Sequence, residues 1–215
     1  MSNSSEEIER EISQDTTILV KALGGWQGML DASLPTAAFL LVFTFLRDLK
    51  LAIGIALVCA VGLAIIRVVK HASLQQIFAG LFGLAISAYL ATKTGKSENF
   101  FVLGILQNTA YFLICIVSIV IRKPVVGYII SALRGQSPTA WTQNSAMFST
   151  YSAVTWLWTL VFAFRVAVTA PLYFAGLTTQ LGTAKLILGT PLYALAVFVS
   201  YRVVVTREQL TGAST

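Results

Sequence analysis

Long apolar runs alternate with short polar joints along this chain. Six runs are long enough to be membrane spans, since a span takes about 20 apolar residues. They are Met29–Leu46, Leu51–Val69, Leu74–Thr92, Phe100–Ile121, Thr150–Ala170 and Ala184–Val205. The joints between the first four runs are short and polar, so neighbouring spans are predicted to run antiparallel. The pattern predicts an all-α fold, a polytopic membrane helical bundle.

One further apolar stretch is too short for a span. Residues 124–133 read PVVGYIISAL and precede Arg134 and Gly135. A stretch of about 10–14 residues is usually interfacial or re-entrant. Treating it as a seventh span would remove the excess of Lys and Arg on the side that holds both termini. We therefore predict six spans, both termini cytoplasmic, and an interfacial or re-entrant helix at 124–133.

The two ends of the chain differ from its apolar middle. Residues 1–28 are predicted to be a cytoplasmic N-terminal segment, partly disordered or interfacial, because acidic residues and glycines interrupt its apolar positions. Its acidic start is the opposite of the basic start of a secretory signal. The transmembrane domain is predicted over 29–205, and a cytoplasmic C-terminal tail over 206–215.

Composition agrees with a membrane protein and narrows its partners. Of the 215 residues, 56% are hydrophobic and 11% are charged, whereas a soluble domain carries about 25% charged residues. The net charge of +6 comes from Lys and Arg scattered between apolar runs, which is typical of topology signals and not of a nucleic-acid surface. The predicted partner is the lipid bilayer, without nucleic acid, while a homo-oligomer and protein partners stay open.

Enzyme signatures are missing from the sequence. Its single histidine, His71, lies in a predicted joint, and Cys59 and Cys115 stand alone in apolar runs. The string Thr94-Gly95-Lys96-Ser97 is similar to the end of a phosphate-binding loop, but Leu90 stands where that loop has its first glycine. We predict a protein that is not an enzyme and has neither a cofactor nor a metal.

Arg165 is the most informative residue, since it interrupts an apolar span. A charge inside a span costs at least about 2.5–3.5 kcal/mol, so it normally faces the bundle or a wet cavity. If the fifth span runs outward, Arg165 lies about 8 Å below its outer end, which leaves snorkelling open. By the same reckoning Gln107, Asn108 and Pro191 lie in the outer third of the membrane.

These four residues predict a substrate-binding site in the outer half of the membrane. The alternative is a structural ion pair, for which Asp48 and Glu98, the only carboxylates predicted on that side, are the expected partners of Arg165. Proline can kink or break a helix, and broken helices expose backbone dipoles in transporters. The prolines in or near spans are Pro35, Pro171 and Pro191.

A weak internal repeat is a further observation on architecture. Residues 36–41 align with 109–114, and residues 50–54 align with 123–127. Three spans separate the copies, so they would be inverted in the membrane, as in many transporters. The shared composition of apolar helices is the alternative explanation.

Aromatic and small residues are predicted to organise the helices and not to bind a ligand. Trp and Tyr favour the membrane interface. The predicted interface anchors are Trp141, Trp156, Trp158, Tyr128 and Tyr151. Ala56, Ala60 and Ala64 in the second span form a small-residue face on which a neighbouring helix can pack closely.

Several short strings can be compared with a known family. They are residues 80–87 (GLFGLAIS), Thr94-Gly95 with Phe100-Phe101, Asn108, Arg122-Lys123-Pro124 with Gly127, Phe164-Arg165, and Gly189-Thr190-Pro191-Leu192. Together they resemble an actinobacterial family of multi-pass membrane proteins that is described only as a domain of unknown function. The resemblance extends from about residue 20 onward, with a looser likeness to the intracellular septation protein A type. It implies an actinobacterial plasma membrane and brings neither a substrate nor catalytic residues.

Two functions follow from the sequence. The first is a small solute or ion permease with a polar site in the outer leaflet half, indicated by the charge at Arg165, the kinked helices and the repeat. The alternative is a non-transporting envelope or septation-related membrane scaffold. It is indicated by the scarcity of acidic residues within the spans, which proton coupling would need, and by the resemblance.

Overall fold

The computed structural model describes residues 25–69, 74–133, 135, 137 and 139–212, and every regular element among them is a helix. The α-helices are α1 (Gly25–Leu46), α2 (Leu49–Val69), α3 (Leu74–Thr94), α4 (Val102–Val120), α5 (Val125–Leu133), α6 (Ser145–Phe174), α7 (Thr178–Ile187) and α8 (Thr190–Gly212). Two short 3₁₀ helices, Ser97–Phe101 and Ala140–Gln143, precede α4 and α6. Five helical stretches are long and apolar enough to cross a membrane. The predicted polytopic all-α fold is confirmed.

Most predicted spans coincide with helices, and one does not. The five long apolar stretches are Leu49–Val69, Ile77–Thr94, Ser97–Val120, Ser145–Phe174 and Thr178–Arg207. The first predicted span falls on α1, whose described apolar part is Ser33–Leu46. The last predicted span, Ala184–Val205, falls within the apolar stretch Thr178–Arg207, but it is not one continuous helix, because α7 ends at Ile187 and α8 begins only at Thr190.

The short apolar stretch at 124–133 forms a helix of 9 residues, α5. This length is less than half of what a span requires, and its interfacial or re-entrant placement stays a prediction. The proposed repeat would pair α5 with α2, which has 21 residues, so the helix lengths give the repeat no support. The N-terminal segment up to residue 24 and the joint 70–73 lie outside the described residues.

The chain divides into two compact units. Unit 1 comprises Met1–Trp26, Ala110–Ala163 and Tyr193–Thr215, and unit 2 comprises Gln27–Thr109 and Phe164–Leu192. Helices α1, α4, α6 and α8 contribute residues to both units. Unit 2 contains all the residues that the sequence nominated for a binding site.

The core of unit 2 is built from stacked rings and small residues. Phe39 is fully buried, and its ring stacks on Phe100 at a centroid distance of 4.1 Å. Phe101 meets both rings edge-on, in a geometry that aromatic pairs favour. On α2, Ala56 and Ala60 are buried, as expected of a small-residue face that lets a neighbouring helix approach closely.

The core of unit 1 surrounds a tryptophan. Trp141 is only 2% exposed and meets Tyr128 and Tyr151 edge-on at 5.4 and 5.5 Å. A side chain on Gly127 would place its Cβ 2.6 Å from the indole ring, so glycine makes the room for Trp141. The prediction that Trp141 and Tyr151 are interface anchors is wrong, since both are buried in protein. Trp156, by contrast, is 48% exposed.

Buried hydroxyls in unit 1 bond within their own helix. The hydroxyl of Thr155 donates to the carbonyl of Tyr151 at 2.7 Å, and that of Thr159 donates to the carbonyl of Thr155 at 2.8 Å. Thr150 does the same one turn earlier in α6. These polar groups are satisfied locally, which is the arrangement that an apolar environment demands of threonine.

Candidate functional site

Three connections of unit 2 lie close together. Hydrogen bonds join Ser97 to Thr178 (2.7 Å), Thr44 to Thr179 (3.5 Å) and Tyr173 to Asn99 (2.6 Å). The bonded residues stand near the end of α1, between α3 and α4, and around the turn from α6 to α7. In a chain of antiparallel helices, every second connection falls at the same end, so these contacts agree with the predicted alternation.

A cavity of about 370 Å³ lies among these connections, lined by Phe43, Arg47, Ser97 and residues 176–180. The guanidinium carbon of Arg47 lies 6.0 Å from the centre of the Phe43 ring, within cation–π range. The remaining wall includes the side chains of Ser97, Thr178, Thr179 and Gln180. The cavity therefore offers hydrogen-bonding groups and a positive charge to a small polar or anionic solute.

Arg165 is buried in α6. It lies about 13 Å along the helix axis from the end at Phe174, at 1.5 Å per residue. This is deeper than the sequence implied, because α6 continues beyond Ala170. The side chain is 7% exposed, and its Nε and Nη1 atoms are buried. The guanidinium is thus enclosed by protein and does not snorkel along a lipid-facing surface.

Lys185 on α7 is a second cation of unit 2. Its Nζ lies 5.1 Å from the centre of the Phe101 ring. A Cβ built on Gly104 would lie 3.6 Å from both Cε and Nζ of Lys185, so the side chain runs along the bare backbone of α4.

Sequence reasoning missed Lys185, which it treated as one of the topology signals. A usable signal was nevertheless present in the spacing within α7. Leu181 and Gly182 are buried, and Lys185 follows them at i+4 and i+3, on the same helix face. The sequence prediction hides this spacing because the predicted span begins at Ala184, whereas α7 begins at Thr178.

Asn108 and Gln107 have different surroundings although they are neighbours in α4. Asn108 is half-buried and its amide donates to the carbonyl of Gly104 at 2.6 Å. Because Gly104 and Asn108 are one turn apart, Asn108 shares the face along which Lys185 runs. Gln107 is exposed, since adjacent helical residues point about 100° apart. The structure therefore places Asn108 on the helix face along which Lys185 runs and leaves Gln107 exposed, while a role of either residue in binding stays a prediction.

The sequence predicts that Pro191 can kink or break its helix, and the structure has a helix break directly before it. Pro191 is the second residue of α8 and is exposed, and in the first turn of a helix its missing N–H costs nothing. The interruption lies before it. Gly189 packs so tightly that a Cβ there would be 2.7 Å from the carbonyl oxygen of Lys185. The hydroxyls of Ser33 and Thr190 are 2.9 Å apart and join α1 to the start of α8.

The two acidic residues expected to pair with Arg165 stand at helix connections. A carboxylate oxygen of Asp48 accepts the backbone N–H of Leu51 at 3.0 Å, so this residue caps the start of α2. Glu98 lies in the 3₁₀ helix, with its Oε1 near Gly176. Their pairing with Arg165 stays a prediction.

The chemistry that this arrangement offers is the binding of negative charge. Within the described part of the chain, no carboxylate forms an ion pair with Lys185. In the same part of the chain, no group of three His, Cys, Asp or Glu residues could hold a metal ion, and His71 lies outside it. Two cations from two helices, one of them buried, favour a site for an anion.

Comparison with known proteins places the chain in a family without assigning it an activity. A family model described as "Protein of unknown function (DUF3159)" matches residues 23–211. No curated protein matches the chain, and no solved structure does. Because the match extends over almost the whole transmembrane region, the resemblance to a domain of unknown function is confirmed. The chain belongs to the DUF3159 family of proteins of unknown function.

Proposed function

We propose that this protein is a small-solute permease of an actinobacterial plasma membrane. The chain crosses the bilayer six times with both termini in the cytoplasm, and α5 lies at the membrane surface or re-enters it. The solute site consists of Arg165 and Lys185, with Asn108 beside them. It lies in the half of the membrane remote from the termini.

The observation that carries this proposal is the interrupted helix. Helix α7 stops at Ile187, and Gly189 folds the chain onto the carbonyl of Lys185 before α8 starts. Discontinuous helices are a common way for transporters to bring backbone groups and polar side chains to a central site. Here the short half-helix carries Lys185, whose Nζ lies 5.1 Å from the centre of the Phe101 ring and whose side chain runs along the backbone at Gly104.

Two further features support transport. A charge buried within an apolar helix is expensive and is typical of substrate or ion pathways. The cavity among the helix connections contains Arg47 and three hydroxyl-bearing residues, as expected of a polar entrance. Together they favour a polar route over a dry helical scaffold.

The direct test is flux into proteoliposomes that contain the purified protein. Labelled glycerol, chloride, acetate and inorganic phosphate serve as probes, with wild type compared with Arg165→Ala and Arg165→Lys. We expect wild type to move at least one probe faster than empty vesicles do. Arg165→Ala should lower that rate about tenfold or more, and Arg165→Lys should lower it less, because it retains the charge but loses the planar fork.

Arg202→Ala is the matched control, since Arg202 is an exposed arginine in α8. Flux that Arg165→Ala leaves unchanged would remove this site from the proposal. Vesicles that move none of the four probes would contradict the permease itself for these solutes.

A septation-related or envelope scaffold is the second candidate, and the family description is compatible with it. The observation that favours it is that Arg165 is the only charged side chain among the buried residues of the described chain, which leaves proton coupling without a buried acid there. Purification from native membranes discriminates the two. Recovery with division or cell-wall proteins, and without probe flux, would support the scaffold.

A further inference from the structure

The cavity among the helix connections of unit 2 is lined by residues other than those of the proposed solute site. Its volume of about 370 Å³ falls at the lower end of the range for ligand pockets, about 300–1,000 Å³, so it suits a small chemical group. Among the described residues that line it, Arg47 is the only charged one. The cavity therefore favours a ligand that carries negative charge.

Arg47 lines the cavity directly after the end of α1. Its backbone is left-handed, with a φ of 54°, at a position where glycine is usual and where any other residue is sterically costly. Within the described residues its guanidinium forms no ion pair and lies over the Phe43 ring. The charge of Arg47 is therefore held beside the cavity and is available to a ligand.

The first turn of α7 supplies backbone donors to the same cavity. The first N–H groups of a helix have no partner within that helix. The N–H of Thr178 donates to the carbonyl of Gly176, and the capping residue, Leu177, offers no side-chain acceptor. The N–H groups of Thr179 and Gln180 have no hydrogen-bond partner among the described residues. Both residues line the cavity, so two donors are available there.

Hydroxyl groups hold the start of α7 in place. The hydroxyls of Thr178 and Ser97 are 2.7 Å apart, and that of Thr179 accepts from Thr44 at 3.5 Å. Thr44 stands in the last turn of α1, close to Arg47 in the chain. The donors are therefore positioned before a ligand arrives, which lowers the entropic cost of binding.

We propose that this cavity binds a phosphate group, with the Arg47 guanidinium and the N–H groups of Thr179 and Gln180 contacting its oxygens. Arginine presents a planar fork that matches phosphate oxygens. The start of a helix adds N–H groups and a dipole that favours negative charge. Such binding needs no transport and therefore goes beyond the proposed function.

A phosphate group can reach the cavity from two sources. Inorganic phosphate would arrive from solution, and the headgroup of a phospholipid would arrive from the bilayer. Both present the same oxygens to the same donors, so the experiment has one arm for each source.

The first arm measures the binding of inorganic phosphate to the full-length protein in maltoside micelles, which contain no phosphate. Thermal unfolding is followed at constant ionic strength, with chloride as the reference anion. A ligand that binds only the folded state raises the midpoint. We expect this rise for wild type, an affinity about tenfold or more weaker in Arg47→Gln, and a smaller loss in Arg47→Lys.

Arg122→Gln is the matched control. Arg122 is also an exposed arginine with a left-handed backbone near a helix end, with a φ of 56°, but it belongs to unit 1. Its replacement should leave the phosphate response unchanged. An equal loss in Arg47→Gln and Arg122→Gln overturns the inference, because the response would then reflect positive charge in general.

Two substitutions at Thr179 separate its N–H from its hydroxyl. Thr179→Pro removes the N–H within the first turn of α7, where proline is tolerated, and should weaken phosphate binding about tenfold. Thr179→Val removes the hydroxyl, keeps the N–H and should retain binding. Equal affinities in the two variants would contradict the contact with the backbone.

A nearby carboxylate tests the sign of the charge that the cavity accepts. Oε1 of Glu98 lies 3.9 Å from the position of a Cβ built on Gly176, and Gly176 lines the cavity. Glu98→Gln removes a negative charge beside the site and should strengthen phosphate binding. Weaker binding in this variant would count against a phosphate site.

The second arm adds short-chain phosphatidylglycerol to the micelles, with diacylglycerol, which lacks the phosphate, as the reference. A midpoint that rises only with phosphatidylglycerol, in wild type and not in Arg47→Gln, identifies the lipid as the ligand. A response to inorganic phosphate that phosphatidylglycerol leaves unchanged identifies the free anion. Absence of an Arg47-dependent response to both probes overturns the inference.

The two proposals fail separately. Phosphate binding that depends on Arg47, without flux of any probe, leaves the phosphate site standing and removes the permease. Glycerol flux that Arg47→Gln leaves intact, without phosphate binding, does the reverse.

Discussion

The two units differ in how their polar side chains are paired. In unit 1 the buried hydroxyls of α6 donate to carbonyls of their own helix, and the centre is the neutral aromatic cluster around Trp141. In unit 2 the buried hydroxyl of Thr169 also donates within its helix, to the carbonyl of Arg165, but Ser97 and Thr178 bond between different elements. Unit 2 also contains the only charged side chain among the buried residues of the described chain, that of Arg165, so we expect function in unit 2.

The largest expected effect on stability comes from the aromatic cluster of unit 1. Trp141→Ala should lower the free energy of unfolding by about 3–5 kcal/mol, because it empties a buried aromatic site. Its Nε1 has no hydrogen-bond partner among the described residues, so packing provides its contribution. Denaturant unfolding in detergent, followed by circular dichroism, measures the loss.

Trp156→Ala, at an exposed tryptophan of the same unit, is the control and should cost far less. If Trp141→Ala also abolishes probe flux at temperatures where the variant is folded, the functional separation between the units is contradicted.

Two glycine substitutions, one in each unit, are expected to have the next largest effect on the free energy of unfolding. Gly127→Ala forces a methyl against the Trp141 ring and Gly189→Ala forces one against the backbone of Lys185, so each should cost about 1–3 kcal/mol. Only Gly189→Ala should also lower probe flux, because it displaces Lys185, a residue of the proposed solute site. Gly62→Ala, where nothing lies near the added methyl, serves as the control.

Tyr173→Phe tests a hydrogen bond between helix connections in unit 2. The phenol donates to Asn99 at 2.6 Å, and its loss should cost about 1 kcal/mol or less, the range found for such bonds in soluble and membrane proteins. The unfolding free energy of Tyr89→Phe, at an exposed tyrosine, provides the baseline. A cost no larger than that baseline would show that the connections are held without this bond.

The smallest effect is expected at Thr155 in unit 1. Thr155→Val preserves the shape of a fully buried side chain and removes a hydroxyl that bonds only to its own helix. The free energy of unfolding should change by less than about 0.5–1 kcal/mol. A larger loss would mean that the Thr155 hydroxyl also makes stabilising interactions outside its own helix.

The sequence predicts the position of a helix well where a long apolar run determines both of its ends. The predicted span Leu51–Val69 and the observed helix Leu49–Val69 nearly coincide, because a long apolar run has no other stable arrangement in a bilayer. The break before α8 was missed, since Gly189, Thr190 and Pro191 were read within an apolar run. A glycine just after the end of one helix and a proline in the first turn of the next helix are nevertheless typical of such a break.

The site was only half predictable, for a related reason. Arg165 stands out in sequence because a charge among apolar residues is visible without any structure. Lys185 owes its place to Phe101 and Gly104, about eighty positions away in the chain, and sequence spacing carries no record of such distant neighbours. The same holds for Trp141, whose burial depends on the space above Gly127.

The joint between α7 and α8 also separates the orientations of the two helices. In a continuous helix, an inserted residue turns everything beyond it by about 100°. Here α7 and α8 are separate helices. A rotation of α7 about its own axis would therefore change the direction of Lys185 without rotating the lipid-facing surface of α8. Substitutions in α7 could therefore change the direction of the Lys185 side chain while α8 keeps its orientation in the bilayer.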